Sequence, residues 1–336
     1  MTYSTNGIAH LETTSAPAGA VPHPLIAEPN ITLVNVQNRA SEELAQVRKE
    51  LDSVTPHRVP QVTAFGMRWL KAAIGDEGVN KIRGFRDSPD ECLQLRGLDL
   101  ITYVPTPRNG FLPETDCVLD FDILHFGMLG LMGIDPFAVD YENEGKLVRN
   151  VLPVEAAAGI ASSWGADIEF SWHTDNPNWN FQLGKENSAS CVPRFLSFTA
   201  IRNNEKVSTD VTSVDRVLAA LPGWAVAELR RPVFLFEAPA SNEGSGGNLN
   251  KLPIIEVQDG QNLLRFDENI VTATDRRSRA SLEILSSCLR AAIGSEVVLT
   301  PGDFFIFKNS RVLHRRRAFV PAQGGDARWL RRVYGS

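Results

Sequence analysis

The chain has 336 residues and a formal net charge of −6, from 34 basic and 40 acidic side chains. Hydrophobic residues make up 43% of it and charged residues 22%, which is typical of an ordinary globular protein and excludes a fibrous or disordered chain. An acidic chain has no general electrostatic reason to bind nucleic acid or an anionic membrane, so we expect a small-molecule partner. The basic run at residues 315–317 is typical of a solvated strand face.

The four cysteines lie far apart, without a C-x-x-C pair. This spacing predicts reduced, mostly buried thiols and not a zinc knuckle or a disulfide framework. The N-terminal sequence lacks a charged-then-apolar leader, and no run of about eighteen apolar residues occurs. We therefore expect a cytoplasmic protein.

The first third of the chain is predicted to be mainly helical. Residues 1–30 are rich in Thr, Ser, Ala and Pro, which predicts a flexible N-terminal arm, followed by a strand near Ile31–Val36. Apolar residues at helical spacing predict three helices, at Ser41–Leu51, Val62–Ile74 and about Val118–Met132.

From about Val151, short apolar runs alternate with turn residues, a pattern typical of an antiparallel sandwich or barrel. A helix is predicted at roughly Asp275–Ile293. The polar, Gly/Ser-rich segment at about 237–252 is predicted to be a flexible lid or, equally, a solvated excursion. Strands are predicted at Ile168–His173, Phe195–Ile201, Val233–Phe236, Ile254–Val257, Leu263–Phe266, Glu296–Leu299, Phe304–Phe307 and Trp329–Tyr334.

A candidate metal site begins where one predicted strand ends in His173-Thr-Asp175. Alternating side chains put residues i and i+2 on one face of a strand, so both can bind one ion. His314 is the natural third ligand, because it follows another strand unit near the C-terminus. Two histidines and one carboxylate on one face of an octahedral iron leave positions open for a cosubstrate and O2. His125, within a predicted helix, is interpreted as a packed or surface histidine.

The C-terminal sequence carries three motifs at fixed spacing: P-G-D at 301–303, N-x-R-x-x-H at 309–314 and R-W-L-R-R-V-Y at 328–334. Together they resemble the end of clavaminate-synthase-like oxygenases, of the taurine-dioxygenase-like branch of the Fe(II)/2-oxoglutarate superfamily. The resemblance covers residues 150–336 well and the first third loosely.

The resemblance implies an α+β, mainly β protein with a double-stranded β-helix (jelly-roll, cupin-like) core, flanking helices and a lid. After the arm, residues 31–336 would form a single oxygenase domain. Within it, residues 31–150 would give helical support and residues 151–336 the core.

The resemblance also implies a binding site for 2-oxoglutarate. The arginine fourteen residues after the distal histidine, here Arg328, would bind the far carboxylate, a task that suits the rigid fork of a guanidinium. A threonine hydroxyl beside that carboxylate matches best at Thr209, with Thr199 and Thr212 as alternatives.

For the substrate, the resemblance points to Ser163 and Arg332 as contacts of an amino-acid carboxylate. The carboxylate ligand of the predicted metal site, Asp175, departs from the family pattern, in which glutamate is usual at this position. Because aspartate has the shorter side chain, it would also change what the site offers to a substrate amino group. On the lid, Glu237 or Glu243 is a hypothetical partner for a cationic side chain.

The implied activity is a dioxygenase that uses Fe(II), 2-oxoglutarate and O2 and releases succinate and CO2. It would hydroxylate an unactivated C–H bond of a free amino acid or derivative, in natural-product biosynthesis. Desaturation or ring closure remain open. From other classes, the alternatives are a non-catalytic cupin-type binding protein and a cupin-type metal-dependent lyase or isomerase.

Overall fold

The computed structural model describes residues 25–52, 59–112, 118–181, 191–239, 251–323 and 325–336. The predicted N-terminal arm therefore lies outside the described residues except at 25–30. Of the predicted lid, only residues 237–239 and 251–252 are described. Within these ranges, no helix combines the length and the apolar character that a membrane span requires.

Helices occur where the sequence predicts them, with one extended. The second predicted helix is followed by a further helical segment that ends at Phe85, and the two meet at a kink where Gly75 adopts a non-helical backbone with a positive φ of 68°. Asp275 caps the last helix, since its carboxylate accepts from two backbone N–H groups. The helices are α1 (Ser41–Asp52), α2 (Val59–Phe85), α3 (Leu119–Met132), α4 (Val214–Ala219), α5 (Gly223–Leu229) and α6 (Arg276–Ala291).

A strand lies within a few residues of each predicted one, and several further strands were not predicted. Cys92–Arg96 and Thr209–Ser213 escaped notice because polar residues interrupt their apolar pattern, although both are mostly buried. The strands are β1 (Leu25–Ile26), β2 (Ile31–Asn35), β3 (Cys92–Arg96), β4 (Pro136–Phe137), β5 (Arg149–Val151), β6 (Phe170–His173), β7 (Asn180–Phe181), β8 (Cys191–Val192), β9 (Phe195–Arg202), β10 (Thr209–Ser213), β11 (Phe234–Phe236), β12 (Ile255–Gln258), β13 (Gln261–Leu264), β14 (Val271–Ala273), β15 (Ala292–Ile293), β16 (Ser295–Val297), β17 (Phe304–Lys308), β18 (Val312–Arg316) and β19 (Trp329–Gly335).

Two sheets dominate the described structure. The large sheet has the order β2-β3-β17-β9-β19-β4, with β5 also paired to β19. The small sheet has the order β16-β10-β18-β6. Its pairings are antiparallel, and in the large sheet only β2 and β3 run parallel. Strands distant in sequence are therefore neighbours in space.

Side chains of the large sheet alternate strictly between two hydrophobic cores. In β17, Phe304 and Ile306 pack with α2 and α3, whereas Phe305 and Phe307 face the small sheet. The same parity runs through β9 and β19, as strand geometry requires. The face toward the small sheet is the one from which a site between the sheets can be built.

The small sheet packs its outer face against α4, α5 and α6. In β18, Leu313 joins that outer core, and Val312 joins the core between the sheets. A bulge shifts the pairing of β18 with β6 after His314, so that Arg316 pairs with Phe170. Bulges re-aim side chains beside active sites, and here Phe170 is brought against the ring of His173, with 3.7 Å between centroids.

The basic run at residues 315–317 is not a uniformly solvated face. Arg315 and Arg317 pair with Asp210, and Arg317 is half exposed. Arg316 is only 6% exposed. The prediction is therefore wrong for Arg316, because alternation along β18 turns it inward with His314.

Candidate metal centre and its two cavities

The three predicted metal ligands converge. Nε2 of His173 lies 3.5 Å from Oδ1 of Asp175, and Nε2 of His314 lies 3.3 Å from that same oxygen. Ligand atoms at right angles around an ion, with bonds of about 2.1 Å, are about 3 Å apart. All three side chains are buried, and their ligand atoms lie within 4.8 Å of one another. The donor set and its spacing therefore fit one metal ion.

The contacts of each ligand favour metal binding. His173 donates through Nδ1 to the carbonyl of Ser171 at 2.7 Å, which leaves the lone pair of Nε2 for a metal. That Nε2 is buried and has no hydrogen-bond partner among the described residues. Burial, and then the neighbouring His173, lower the pKa of His314 to about 4, so its ring is neutral at physiological pH. Burial opposes ionisation of Asp175, but Arg332 and the histidines outweigh it and keep the pKa of that carboxyl well below its ordinary range.

The N-x-R-x-x-H motif has a local structural role at this centre. Its asparagine, Asn309, accepts from the backbone N–H of Asp175 at 2.9 Å and donates to the backbone carbonyl of Asp175 at 3.1 Å. This pair of bonds holds the loop after β6 against the turn between β17 and β18. The motif therefore places His314 and fixes the backbone of the ligand it faces.

On one side of the metal ligands lies a small cavity, here called the inner cavity, which contains Thr209 and Arg328. Arg328 is 3% exposed and donates through Nη2 to Oγ1 of Thr209 at 3.3 Å. Its Nε is buried without a partner among the described residues. Burial, and then the charge of Arg316, lower the pKa of Arg328 to about 9, against the opposing effect of Glu205. A buried cation of this kind favours an anionic ligand.

The alternative threonines are engaged elsewhere. Thr199 donates to Nδ1 of His125 in the core, and Thr212 donates to the carbonyl of Ala27. Of the three candidates, Thr209 is the one that contacts Arg328. His125 itself is a packed histidine, bonded also to Ser197.

The predicted substrate residue Arg332 lies beside the metal centre, in a cluster of buried charges. It donates through Nη1 to Oδ2 of Asp175 at 2.8 Å and through Nη2 to Glu142 at 2.6 Å. Tyr334 donates to the other carboxylate oxygen of Glu142 at 2.7 Å. The sequence analysis missed Glu142, which sits in an irregular segment without any motif.

Ser163 is contacted by a second arginine that the sequence analysis also missed. Nε of Arg149 donates to Oγ of Ser163 at 2.8 Å, and Nη1 of Arg149 lies 3.2 Å from Glu142. The guanidinium of Arg149 is stacked on Trp164 at 4.5 Å from the ring centroid. Two buried arginines therefore converge on one glutamate at the edge of the metal centre.

A second small cavity, here called the outer cavity, shares His173 and Asp175 with the inner cavity and is also lined by Asp267 and Asn176. Oδ1 of Asp267 accepts from the backbone and side chain of Asn269, at 2.9 and 3.1 Å. The amide nitrogen of Asn176 is buried without a partner among the described residues. Neither residue was predicted, although Asn176 directly follows a metal ligand. Of the hypothetical lid glutamates, Glu237 is exposed and Glu243 lies outside the described residues.

A larger groove of about 380 Å³ lies elsewhere, lined by basic residues such as Arg194 and Lys308. Its described lining contains no histidine. The donor set for a metal therefore belongs to the smaller cavities, although the groove offers more space.

Comparison with known proteins agrees with this geometry. Residues 236–334 match the family described as taurine catabolism dioxygenase TauD, TfdA family. This confirms the predicted resemblance, and the segment is a TauD/TfdA family domain. It contains His314, Arg328 and Arg332.

Curated relatives extend the similarity over most of the chain. An L-asparagine oxygenase from Streptomyces coelicolor is 27% identical over 259 residues, covering 75% of this chain and 74% of the relative. An L-lysine 3-hydroxylase from Catenulispora acidiphila is 22% identical over 323 residues, covering 92% and 85%. An enduracididine beta-hydroxylase from Streptomyces hygroscopicus is 23% identical, covering 67% and 69%.

Solved structures share the fold. An asparagine oxygenase in complex with Fe(II), 2S,3S-3-hydroxyasparagine and succinate aligns with a TM-score of 0.75 and 23% identity, over 90% of this chain and 92% of that one. The non-heme iron oxygenase OrfP, in complex with Fe and alpha-ketoglutaric acid, aligns with a TM-score of 0.73 and 20% identity, over 90% and 93%. The arrangement of sheets and helices described above is therefore that of these oxygenases.

Proposed function

We propose that this protein is an Fe(II)/2-oxoglutarate-dependent dioxygenase that hydroxylates an unactivated C–H bond of a free amino acid or amino-acid derivative. The observation that carries the proposal is the convergence of His173, Asp175 and His314 at a centre flanked by the buried Arg328. Relatives named as hydroxylases or oxygenases of asparagine, lysine and enduracididine support the substrate class.

His173, Asp175 and His314 would hold iron in a facial arrangement that leaves three positions open. Bound iron would supply the activation of O2 that is coupled to conversion of 2-oxoglutarate into succinate and CO2. The chain's own task is placement, because the C–H bond held nearest the metal is the one that reacts.

The inner cavity would hold 2-oxoglutarate, with Arg328 and Thr209 at its far carboxylate. The guanidinium can form two parallel hydrogen bonds with that carboxylate, and the Thr209 hydroxyl, which now accepts from Arg328, can turn to donate. Charge supports the assignment, since a carboxylate would neutralise a cation that is otherwise buried without an ion pair in the described part of the chain.

The outer cavity would hold the amino acid. Arg332 and Ser163 are proposed contacts of its α-carboxylate, and Asp175 would help to orient its amino group. Glu142 holds both of these side chains in place. It accepts a hydrogen bond from Arg332 directly, and it pairs with Arg149, which donates to Ser163. Asp267 lines the wall of this cavity, where its carboxylate is available to the substrate's side chain.

We further propose that residues 31–336 form one domain, with a double-stranded β-helix core formed by the two sheets and a lid at about 237–252. The opposed faces of the sheets and the shared core between them support this arrangement. We also propose a cytoplasmic location, because the spacing of the four cysteines predicts reduced thiols. The named relatives support a role in natural-product biosynthesis.

The test is succinate formation by the purified protein with Fe(II), ascorbate and 2-oxoglutarate across a panel of amino acids. We expect succinate and a hydroxylated product to form in equal amounts for one or a few members of the panel. The matched control is His314→Ala, which should abolish both products. A protein that binds an amino acid without forming succinate would instead be a non-catalytic binding protein, and turnover without 2-oxoglutarate would indicate a lyase or isomerase.

A further inference from the structure

Arg316 is a buried cation that the proposed function has not used. It follows His314 by two residues in β18, so strand alternation places it on the face that carries the metal ligand. Two residues along a strand span roughly 7 Å, which sets Arg316 away from the metal, toward the end of the inner cavity. It is 6% exposed and lines that cavity.

The strand register places Arg316 at the same end of the cavity as Thr209. In the antiparallel pair of β10 and β18, Val211 is opposite His314 and Asp210 is opposite Arg315. The same register continued by one residue sets Thr209 opposite Arg316. Thr209 in turn accepts a hydrogen bond from Arg328. The two arginines therefore flank one threonine.

The guanidinium of Arg316 is held by neutral groups. Nη1 donates to the carbonyls of Ala166 and Arg317, at 3.1 and 3.0 Å, and Nη2 donates to the carbonyl of Ile168 at 3.2 Å. Nε is buried and has no partner among the described residues. The head group is thus fixed in place, and its Nε–H remains available to a ligand.

Neither Arg316 nor Arg328 forms an ion pair within the described part of the chain, whereas the residues on either side of Arg316, Arg315 and Arg317, both pair with Asp210. The charge of Arg316 also lowers the pKa of Arg328, which means that two cations share this end of the cavity. Two buried cations without an ion-pair partner among the described residues are costly, and an anionic ligand removes that cost.

We propose that Arg316 is a second binding residue for the far carboxylate of 2-oxoglutarate, and that its Nε donates to that group beside Arg328. This inference rests on the proposed function. Through its bonds to the carbonyls of residues 166 and 168, Arg316 also connects the cosubstrate site to the segment that leads into β6 and His173.

The test is calorimetric titration of 2-oxoglutarate into Mn(II)-loaded protein. In Arg316→Gln we expect the dissociation constant to rise at least about tenfold, as for loss of a hydrogen bond to a charged group. The matched control is Arg317→Gln, which removes the same charge from the residue that directly follows β18, and its constant should stay within about twofold of wild type. Arg316→Lys keeps the charge without the fixed fork and should give an intermediate value.

Mn(II) affinity and the binding of the amino acid, measured on the same variants, distinguish a binding role from a structural one. An unchanged 2-oxoglutarate constant in Arg316→Gln, with weaker amino-acid binding, would make Arg316 a structural link only and overturn the inference. An equal rise in the 2-oxoglutarate dissociation constant of Arg317→Gln would show that the effect of Arg316→Gln is a general effect of charge, and this would also overturn the inference. If Arg316→Gln does not fold, a wild-type constant in Arg316→Lys also overturns it. Wild-type protein that binds no 2-oxoglutarate would instead overturn the proposed function.

Discussion

Several buried arginines lie in the region between the two sheets. Arg328 and Arg332 face inward from the closing strand and Arg316 from β18, whereas Arg331 points to the helices and pairs with Asp122. Alternation alone assigns these directions. What each guanidinium contacts depends on residues far away in the sequence.

At the residue scale, we predict that Arg328→Met raises the KM for 2-oxoglutarate roughly tenfold to hundredfold and leaves metal binding intact. The charged hydrogen bonds that it removes are worth about 1.5–3 kcal/mol. The unliganded variant should melt no lower than wild type, because a buried cation without an ion pair is removed. Succinate assays and thermal melting measure the two effects.

Arg331→Met is the matched control, since it removes a buried arginine from the opposite face of the same strand. It breaks the pair with Asp122 and should lower the melting temperature without changing the KM. An unchanged KM in Arg328→Met, or an equal rise in both variants, would contradict the assignment of Arg328.

At the scale of elements, α2 and α3 cross with glycine against glycine. A Cβ at Gly127 would lie 2.6 Å from the backbone carbon of Gly66, closer than side chains tolerate. We predict that Gly127→Ala lowers the free energy of unfolding by about 1–3 kcal/mol, the usual cost of overpacking. Denaturant unfolding measures this change.

Gly84, near the end of α2, is the control for this crossing. A Cβ there would meet nothing within 4 Å, and alanine is the better helix former. Gly84→Ala should leave stability unchanged or raise it by up to about 1 kcal/mol. A Gly127→Ala variant as stable as Gly84→Ala would show that the helices can separate without cost.

The contact between α3 and the large sheet includes a histidine whose pKa predicts a pH dependence. Burial, and then the charge of Arg331, lower the pKa of His125 to about 3, below its ordinary value of 6.5. Between pH 6.5 and pH 3, the imidazole of His125 is protonated in the unfolded chain but not in the folded one. The contribution of His125 to stability is therefore complete above pH 6.5 and falls as the pH drops toward 3. At pH 5 the loss amounts to about 2 kcal/mol.

His125→Gln keeps a polar side chain but cannot titrate. We predict that its free energy of unfolding falls by about 2 kcal/mol less than that of wild type between pH 7.5 and pH 5. Urea unfolding at the two pH values measures the difference. Parallel pH profiles for both proteins would indicate that His125 takes up its proton without unfolding.

At the scale of the whole molecule, the two sheets enclose positive charge that a dicarboxylate can neutralise. We predict that 2-oxoglutarate at about 100 times its dissociation constant, with Mn(II), stabilises the protein by about 2.7 kcal/mol. For a chain of this length, this corresponds to a rise in melting temperature of roughly 4 °C. The control is 2-oxobutyrate, which lacks the far carboxylate and should produce a much smaller rise. Equal shifts with both ligands would contradict a site for that carboxylate.

The local pattern of the sequence was sufficient for several features. Helical periodicity located α1 and α3, since side chains three and four residues apart share a face. Strand alternation predicted that His173 and Asp175 share one face, and the C-terminal motifs pointed to His314 and Arg328. Each of these inferences depends on neighbours in the chain, and for that reason the sequence alone was enough.

Other features required the tertiary structure. Glu142 contacts Arg332 across 190 residues of sequence, from an irregular segment where periodicity carries no information. Asp267 reaches the outer cavity through a bridge between its backbone and that of His173. The fully buried strand Thr209–Ser213 has no apolar run that would predict it. Its polar side chains can be buried because they form hydrogen bonds with partners outside the strand.

The sequence by itself therefore determined that His173, Asp175 and His314 are a possible donor set for a metal, because residue chemistry and strand alternation are local properties. Only the tertiary structure decided that Arg316 is buried beside Thr209 and that Glu142 holds two arginines at the metal centre. These outcomes depend on the order in which distant strands pair. That order follows from the burial of both faces of the large sheet, which no single segment specifies.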